Sequence, residues 1–218
     1  MIDPAAVQHL PERFPQFGPR VPRRGNAFSR ALGRGLLRLF GWRVVGDPPD
    51  AAHFMVTAAP HTSNLDGLLF LIATFAMGLD LHWIAKHTLF EGIWGGMLRW
   101  MGGVGIDRRR PGGMVEQVAQ QFRSRPNLVL VIAPEGTRAR TEQWKSGFYR
   151  MAEAAGVPIA LGFMDYRSRR VGFGPTLVPS GDFEADLRRM AAFYREVAPR
   201  RPERFSLPVA RSDGDSAG

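Results

Sequence analysis

The sequence predicts an α/β layered fold: a central mixed, mostly parallel sheet flanked by helices, with an N-terminal amphipathic helical extension. Three observations carry this. Short apolar runs alternate with segments of helical character from about residue 52 to residue 197, the pattern of successive βα units. The run Leu128-Val129-Leu130-Val131-Ile132-Ala133 is continuously apolar between Pro126-Asn127 and Pro134, as in a strand covered on both faces. Hydrophobic residues make up 44% of the 218, enough to fill one core, so the chain is one domain or one domain with a small extension.

The elements follow in order. Residues 1–25 carry Pro4, Pro11, Pro15, Pro19 and Pro22 and read as mostly irregular. No acidic residue falls between Glu12 and Asp47, a span that holds Arg13, Arg20, Arg23, Arg24, Arg30, Arg34, Arg38 and Arg43. Asn26 is placed to cap a helix that runs to about Gly41. Arg30, Arg34 and Arg38 share one face of it, while Leu32, Leu36, Leu39 and Phe40 fall largely on another. Such a helix, ending in Phe40 and Trp42, suits a lipid interface; it equally suits a surface helix packed on its own domain. Asp47-Pro48-Pro49-Asp50 divides this basic arm (1–46) from the main domain (47–205), and residues 206–218 read as a disordered tail.

Within the main domain, residues 52–59 read as a strand and 65–77 as a core helix. His82 to Ala85 is a short strand, and 91–101 a helix rich in glycine and tryptophan. Gly103 to Ile106 is a brief strand, 113–123 a helix, and Leu128 to Ala133 the buried strand. A helix at 147–155, a strand from Pro158 to Phe163, an edge strand from Val171 to Val178 and a helix at 183–197 complete the series. No internal repeat is present.

Composition narrows the chemistry. With no cysteine, the chain has no disulfide, thiolate nucleophile or cysteine metal site, so oxygen and imidazole groups must do the work. A formal net charge of +9 suits an anionic partner: nucleic acid, a phosphate-bearing lipid, an acidic carrier or a membrane surface. Nucleic acid is not expected, because neither an RNA-recognition aromatic signature nor a helix-turn-helix pattern is evident. No apolar run reaches the roughly 18 residues of a spanning helix. Met1-Ile2-Asp3-Pro4 does not open a secretory signal. The expected location is the cytoplasm, peripherally at the cytoplasmic face of the membrane.

Three stretches at predicted strand ends can carry chemistry, the place where sites collect in open α/β sheets. The first holds His61 and Asp66 at a strand-to-helix junction. On one continuous helix a five-residue step turns side chains ~140° apart, but across a turn the two can meet. Asp66 then holds one imidazole nitrogen while the other faces a substrate, as a general base requires. The second is Gly105-Ile106-Asp107-Arg108. The third is Pro134-Glu135-Gly136-Thr137-Arg138, which reads either as an anion-binding loop or as a turn fixed by a Glu135–Arg138 ion pair.

In this order the three stretches resemble the glycerolipid acyltransferase family, whose best-known members are the lysophosphatidic acid acyltransferases. The family's histidine, four residues and aspartate match His61 and Asp66. Its second block ends in an arginine, matched by Arg108, and its Pro-Glu-Gly-Thr-Arg block is complete in Pro134 to Arg138. Its Val-Pro-Ile strand start is matched by Val157-Pro158-Ile159, and its lysine before a Leu-Phe pair by Lys86 with Leu89-Phe90. The match covers about residues 50 to 165. Pro60 replaces the usual asparagine before the histidine, Ala139 replaces a frequent serine, and a second proline of the fourth block is missing.

The resemblance implies transfer of a fatty acyl group from acyl-CoA or acyl carrier protein to a lysophospholipid hydroxyl, with 1-acylglycerol-3-phosphate the foremost acceptor. It implies no cofactor and no metal beyond the thioester co-substrate. His61 and Asp66 become the catalytic pair, and Arg108 and Arg138 grip the acceptor phosphate with Lys86 as a third cation. Glu135 orients an arginine or an acceptor hydroxyl, and Gly136 and Thr137 complete the loop. The partners are then the lysophospholipid, the acyl thioester, acyl carrier protein as one donor, and an anionic membrane surface. The alternatives are a non-phosphate acceptor such as an aminolipid, thioester hydrolysis, and a basic membrane-binding module without turnover. His9, His53, His82 and His87 lack a zinc-site pattern and read as structural or surface residues.

Overall fold

The computed structural model describes residue 7 and residues 10–107, 113–136 and 144–207. Seven strands form one sheet: β1 (Arg43–Val45), β2 (His53–Ala59), β3 (Leu81–Lys86), β4 (Gly103–Ile106), β5 (Leu128–Ile132), β6 (Ile159–Asp165) and β7 (Arg170–Leu177). Their order is β1-β7-β6-β2-β5-β3-β4. Every neighbouring pair is parallel except β6 and β7, which are antiparallel. The mixed, mostly parallel sheet expected from the apolar runs is therefore present.

Among the described residues six helices accompany it: α1 (Ala27–Leu39), α2 (Asn64–Met77), α3 (Gly95–Trp100), α4 (Gly113–Ser124), α5 (Gly147–Ala155) and α6 (Phe183–Tyr194). Alternation along the strands feeds two cores. Leu128 and Leu130 of β5 join Met55 of β2 in one core, with Val118 of α4, Phe148 of α5 and Met190 of α6. Val129, between them, joins Phe54 and Val56 in the opposite core, with Leu69 and Ala73 of α2 and Leu37 of α1. Both faces of the sheet are covered, which is why β5 reads as an unbroken apolar run.

Three elements differ from the sequence reading. Residues 91–101 do not form one helix: a 3₁₀ turn covers His87–Phe90 and α3 begins only at Gly95. A Cβ at Gly95 would sit 2.1 Å from the Phe90 carbonyl oxygen, so the chain doubles back too tightly for any other residue. The strand near 171–178 is not an edge. β7 lies between β6 and β1, because a short turn from Tyr166 to Arg169 folds it back on β6 and Arg43–Val45 pairs on its other side. Three residues are too few to show alternation, so β1 was invisible as a strand. It also carries the segment before Asp47 into the sheet, across the division placed at Asp47–Asp50.

The basic arm is irregular from residue 10 to residue 25 apart from one bridge, Arg23 with Leu79, but it is tied down. Arg13 pairs with Asp47, Arg20 with Asp50, and Arg43 and Arg170 with Glu12. Asn26 caps α1 as expected: its side chain accepts the Ser29 backbone N–H at 2.9 Å. Helix α1 crosses α2 at Gly33, where a Cβ would meet the Ala76 nitrogen at 2.5 Å. Arg23 Nη2 donates to the Met77 carbonyl (2.7 Å) and Arg34 Nε to the Ala76 carbonyl (3.2 Å), so two arginines satisfy the last turn of α2. Helix α1 is thus packed on its own domain, yet Phe28, Leu32, Leu39 and Phe40 stay exposed. Beyond α6, Phe205 and Leu207 pack against the core, so its edge reaches to residue 207.

Candidate active site

β2 and β5 are adjacent and parallel, with Thr57 opposite Ile132 at the end of the ladder. The segments that follow them therefore leave the same edge of the sheet side by side. One holds His61 and the other Glu135, which is how the first and third motifs meet although 74 residues separate them.

Asp66 owes its position to the start of α2. Ser63 is the residue before the helix and Asp66 the third residue within it, where a carboxylate reaches back to the unpaired amides of the first turn. Asp66 Oδ2 accepts the backbone N–H of Thr62 at 2.6 Å and of Ser63 at 2.7 Å. Oδ1 accepts the Ser63 hydroxyl at 2.9 Å and the Tyr166 hydroxyl at 2.6 Å. The carboxylate is completely buried, and the positive end of the helix dipole adds to its stabilisation. His61 stands before the helix, its side chain 25% exposed, with Nδ1 3.9 Å from Asp66 Oδ2. The spacing of five therefore does bring the pair together across a turn. The separation exceeds a hydrogen bond by less than 1 Å, a gap of the kind that closes when substrate binds.

Glu135 has a partner that the sequence did not announce. Its two carboxylate oxygens accept the His61 backbone N–H at 3.2 and 3.1 Å, so it fixes the loop that carries His61. Burial pushes its pKa up to about 7; the His61 N–H pulls the other way, and the charge of Asp66 adds to the rise. Gly136 follows with φ of +66°, a left-handed conformation that favours glycine. Among the described residues no atom lies within 4 Å of an added Cβ, so the turn is what favours the glycine.

Lys86 ends β3 and is exposed, opposite Ile106 of β4, on the same sheet edge. It is not among the residues that line the cavity beside His61. Arg108, Thr137 and Arg138 lie outside the described residues, as does His9. His53 Nε2 lies 3.1 Å from the Arg125 carbonyl oxygen, a structural contact. His82 is half-buried, and that burial lowers its pKa. His87 lies 3.7 Å from both Glu91 and Asp107.

A cavity of about 1080 Å³ opens beside the pair. His61 and Asp66 line it with Phe70, Leu71 and Phe75 of α2. Val131 and Ile132 of β5 line it too, and its reach extends to Trp100 and to Arg24 of the arm. Helices α2 and α3 thus supply lining as well as core. Two groups near the site went unread in the sequence. Lys145 lines the cavity directly after the Pro-Glu-Gly-Thr-Arg region, within the Trp144–Tyr149 stretch. Tyr166 touches Asp66 from a turn 100 residues away, and no local pattern announces such a contact.

Comparison with known proteins agrees with this architecture. The chain is 28% identical over 146 residues to a 1-acyl-sn-glycerol-3-phosphate acyltransferase from Cocos nucifera. That match covers 63% of this chain and 46% of the relative, so the chain spans about half the relative's length. In fold it is similar to the crystal structure of PlsC, the 1-acyl-sn-glycerophosphate (LPA) acyltransferase from Thermotoga maritima. The TM-score is 0.51 at 16% identity, covering 76% of this chain and 73% of that one. The family described as Acyltransferase matches residues 43–160, from β1 into β6 and more than half of the sequence. The fold, the sequence match and the order of the motifs agree: this chain belongs to the glycerolipid acyltransferase family.

Proposed function

We propose that the protein transfers a fatty acyl group from a thioester donor, acyl-CoA or acyl carrier protein, to the hydroxyl of a lysophospholipid. The acceptor we assign is 1-acylglycerol-3-phosphate, the substrate named for the Cocos nucifera relative. The observation that carries this reading is a partly exposed imidazole, 3.9 Å from a buried carboxylate, at the wall of a largely apolar cavity.

In the reaction the acceptor oxygen attacks the thioester carbon as His61 takes the hydroxyl proton. Asp66 stabilises the imidazolium, the C–S bond breaks, and the proton passes to the departing thiolate to give free thiol. Help of this kind contributes on the order of 10²–10⁴ in rate. The remainder comes from positioning and from stabilising the oxyanion. No cofactor enters, because the thioester supplies the driving force. The cavity takes the acyl chain. Arg108, Arg138 and Lys86 provide the cations for the phosphate, with Glu135, Gly136 and Thr137 shaping the loop between. The exposed Phe28, Leu32, Leu39 and Phe40, on a helix that also bears Arg30 and Arg38, support docking on the anionic cytoplasmic face of a membrane.

The test is thiol release from acyl-CoA with and without added 1-acylglycerol-3-phosphate, for the wild type and His61→Ala. Release that depends on the acceptor and is lost in the variant is the expected result. Equal release without acceptor would make the protein a thioesterase, and full activity of His61→Ala would remove the imidazole from the mechanism.

A further inference from the structure

We propose that Tyr166 is a positioning residue for the His61–Asp66 pair, acting through the hydrogen bond from its hydroxyl to Asp66 Oδ1. The proposal rests on the acyl-transfer reading above, and its test separates the two.

A carboxylate at the third position of a helix needs only the first-turn amides to be satisfied, and Asp66 Oδ2 already has two of them. The 2.6 Å bond from Tyr166 is additional to these and to the Ser63 hydroxyl on Oδ1, and it comes from outside residues 43–160, which the family matches. It is also an aimed bond. The Tyr166 backbone N–H donates to the Ala198 carbonyl at 2.9 Å, which anchors the turn between β6 and β7. The ring meets Trp42 edge to face, with centroids 5.0 Å apart and planes at 87°. With both ends of the residue held, the hydroxyl is kept at Asp66, beside the Ser63 side chain. Burial, and then Asp66 itself, raise its pKa, so it stays protonated and remains a donor.

The bond has two consequences. It joins the Thr62 and Ser63 amides and the Ser63 hydroxyl in holding the carboxylate, so that Oδ2, the oxygen 3.9 Å from His61 Nδ1, keeps its place. It also draws negative charge toward Oδ1, which lowers the basicity that the imidazole experiences. His61 is then kept neutral, the form a general base needs, to a lower pH than an unmodified Asp66 would allow. Glu135, from the loop after β5, and Arg200, from the segment after α6, also bring charge to this corner. Neither is altered by the test below.

Tyr166→Phe removes one oxygen and keeps the ring against Trp42. The imidazole titration of His61 is followed by ¹⁵N-edited NMR, with the signal identified by its loss in His61→Ala. The expected midpoint in Tyr166→Phe is higher by at least about half a pH unit. The acid limb of kcat/KM moves up with it, and kcat falls about tenfold at unchanged acceptor KM. An unmoved midpoint and acid limb would reduce Tyr166 to packing and overturn the proposal. Because the titration needs no turnover, it decides the matter even if His61→Ala retains activity and the acyl-transfer reading fails. Should Tyr166→Phe not fold, 3-fluorotyrosine placed at 166 is a stronger donor and must move the midpoint down. No movement there overturns the proposal equally.

Discussion

Replacing Glu135 with glutamine should flatten the dependence of stability on pH. The carboxyl is buried, with its pKa raised from 4.5 to about 7 chiefly by loss of hydration. Folding therefore favours the protonated form. The stability contributed by that preference is whole below about pH 4.5 and is lost as pH rises through 7. The interval between the two values corresponds to about 3 kcal/mol. Glutamine cannot ionise, yet its carbonyl oxygen still accepts the His61 N–H. Its extra amide hydrogens impose a cost that does not change with pH. Urea unfolding at pH 4.5, 6 and 8, followed by circular dichroism, isolates the effect as a difference between wild type and variant. The variant should gain up to about 3 kcal/mol relative to wild type between the lowest and highest pH. A difference that stays constant across the series would show that Glu135 ionises freely in the fold, and the argument from burial would fail.

Two further outcomes follow from the packing of the arm. Gly33→Ala forces a methyl group toward the Ala76 backbone nitrogen, at 2.5 Å, and should lower stability by about 1–3 kcal/mol in thermal or urea unfolding. The combined change Phe28→Ser with Phe40→Ser removes two exposed rings without touching the α1–α2 contact; sedimentation with anionic vesicles should show weaker binding at unchanged Tm.

Much of this was legible in the sequence because it is periodic or local. The unbroken run at Leu128–Ile132 revealed a strand covered on both faces, and the helix read over 65–77 begins one residue earlier, at Asn64. The spacing of His61 and Asp66 was legible for a local reason, since it places the aspartate on the first turn of a helix. What the sequence hid is set by distance along the chain. The three-residue β1 has no period, and the interior place of β7 depends on it. The hold of Glu135 on His61 requires knowing that β2 and β5 are neighbours. The contact of Tyr166 with Asp66 requires the return of β6 beside β2. Arg34 shares a face with Arg30 and Arg38, but that its guanidinium bends in to the Ala76 carbonyl requires knowing that α1 crosses α2.

That inward turn ties the fate of two distant segments together. Helix α2 carries the aspartate at its start, while at its finish the free carbonyls are met by arginines borrowed from residues 23 and 34. Sequence drift in the arm is therefore constrained by a helix whose working end is some 20 Å away, at roughly 1.5 Å per residue. Grafting residues 60–66 onto another scaffold would carry over the pair proposed for catalysis but leave behind the arginines that finish its helix.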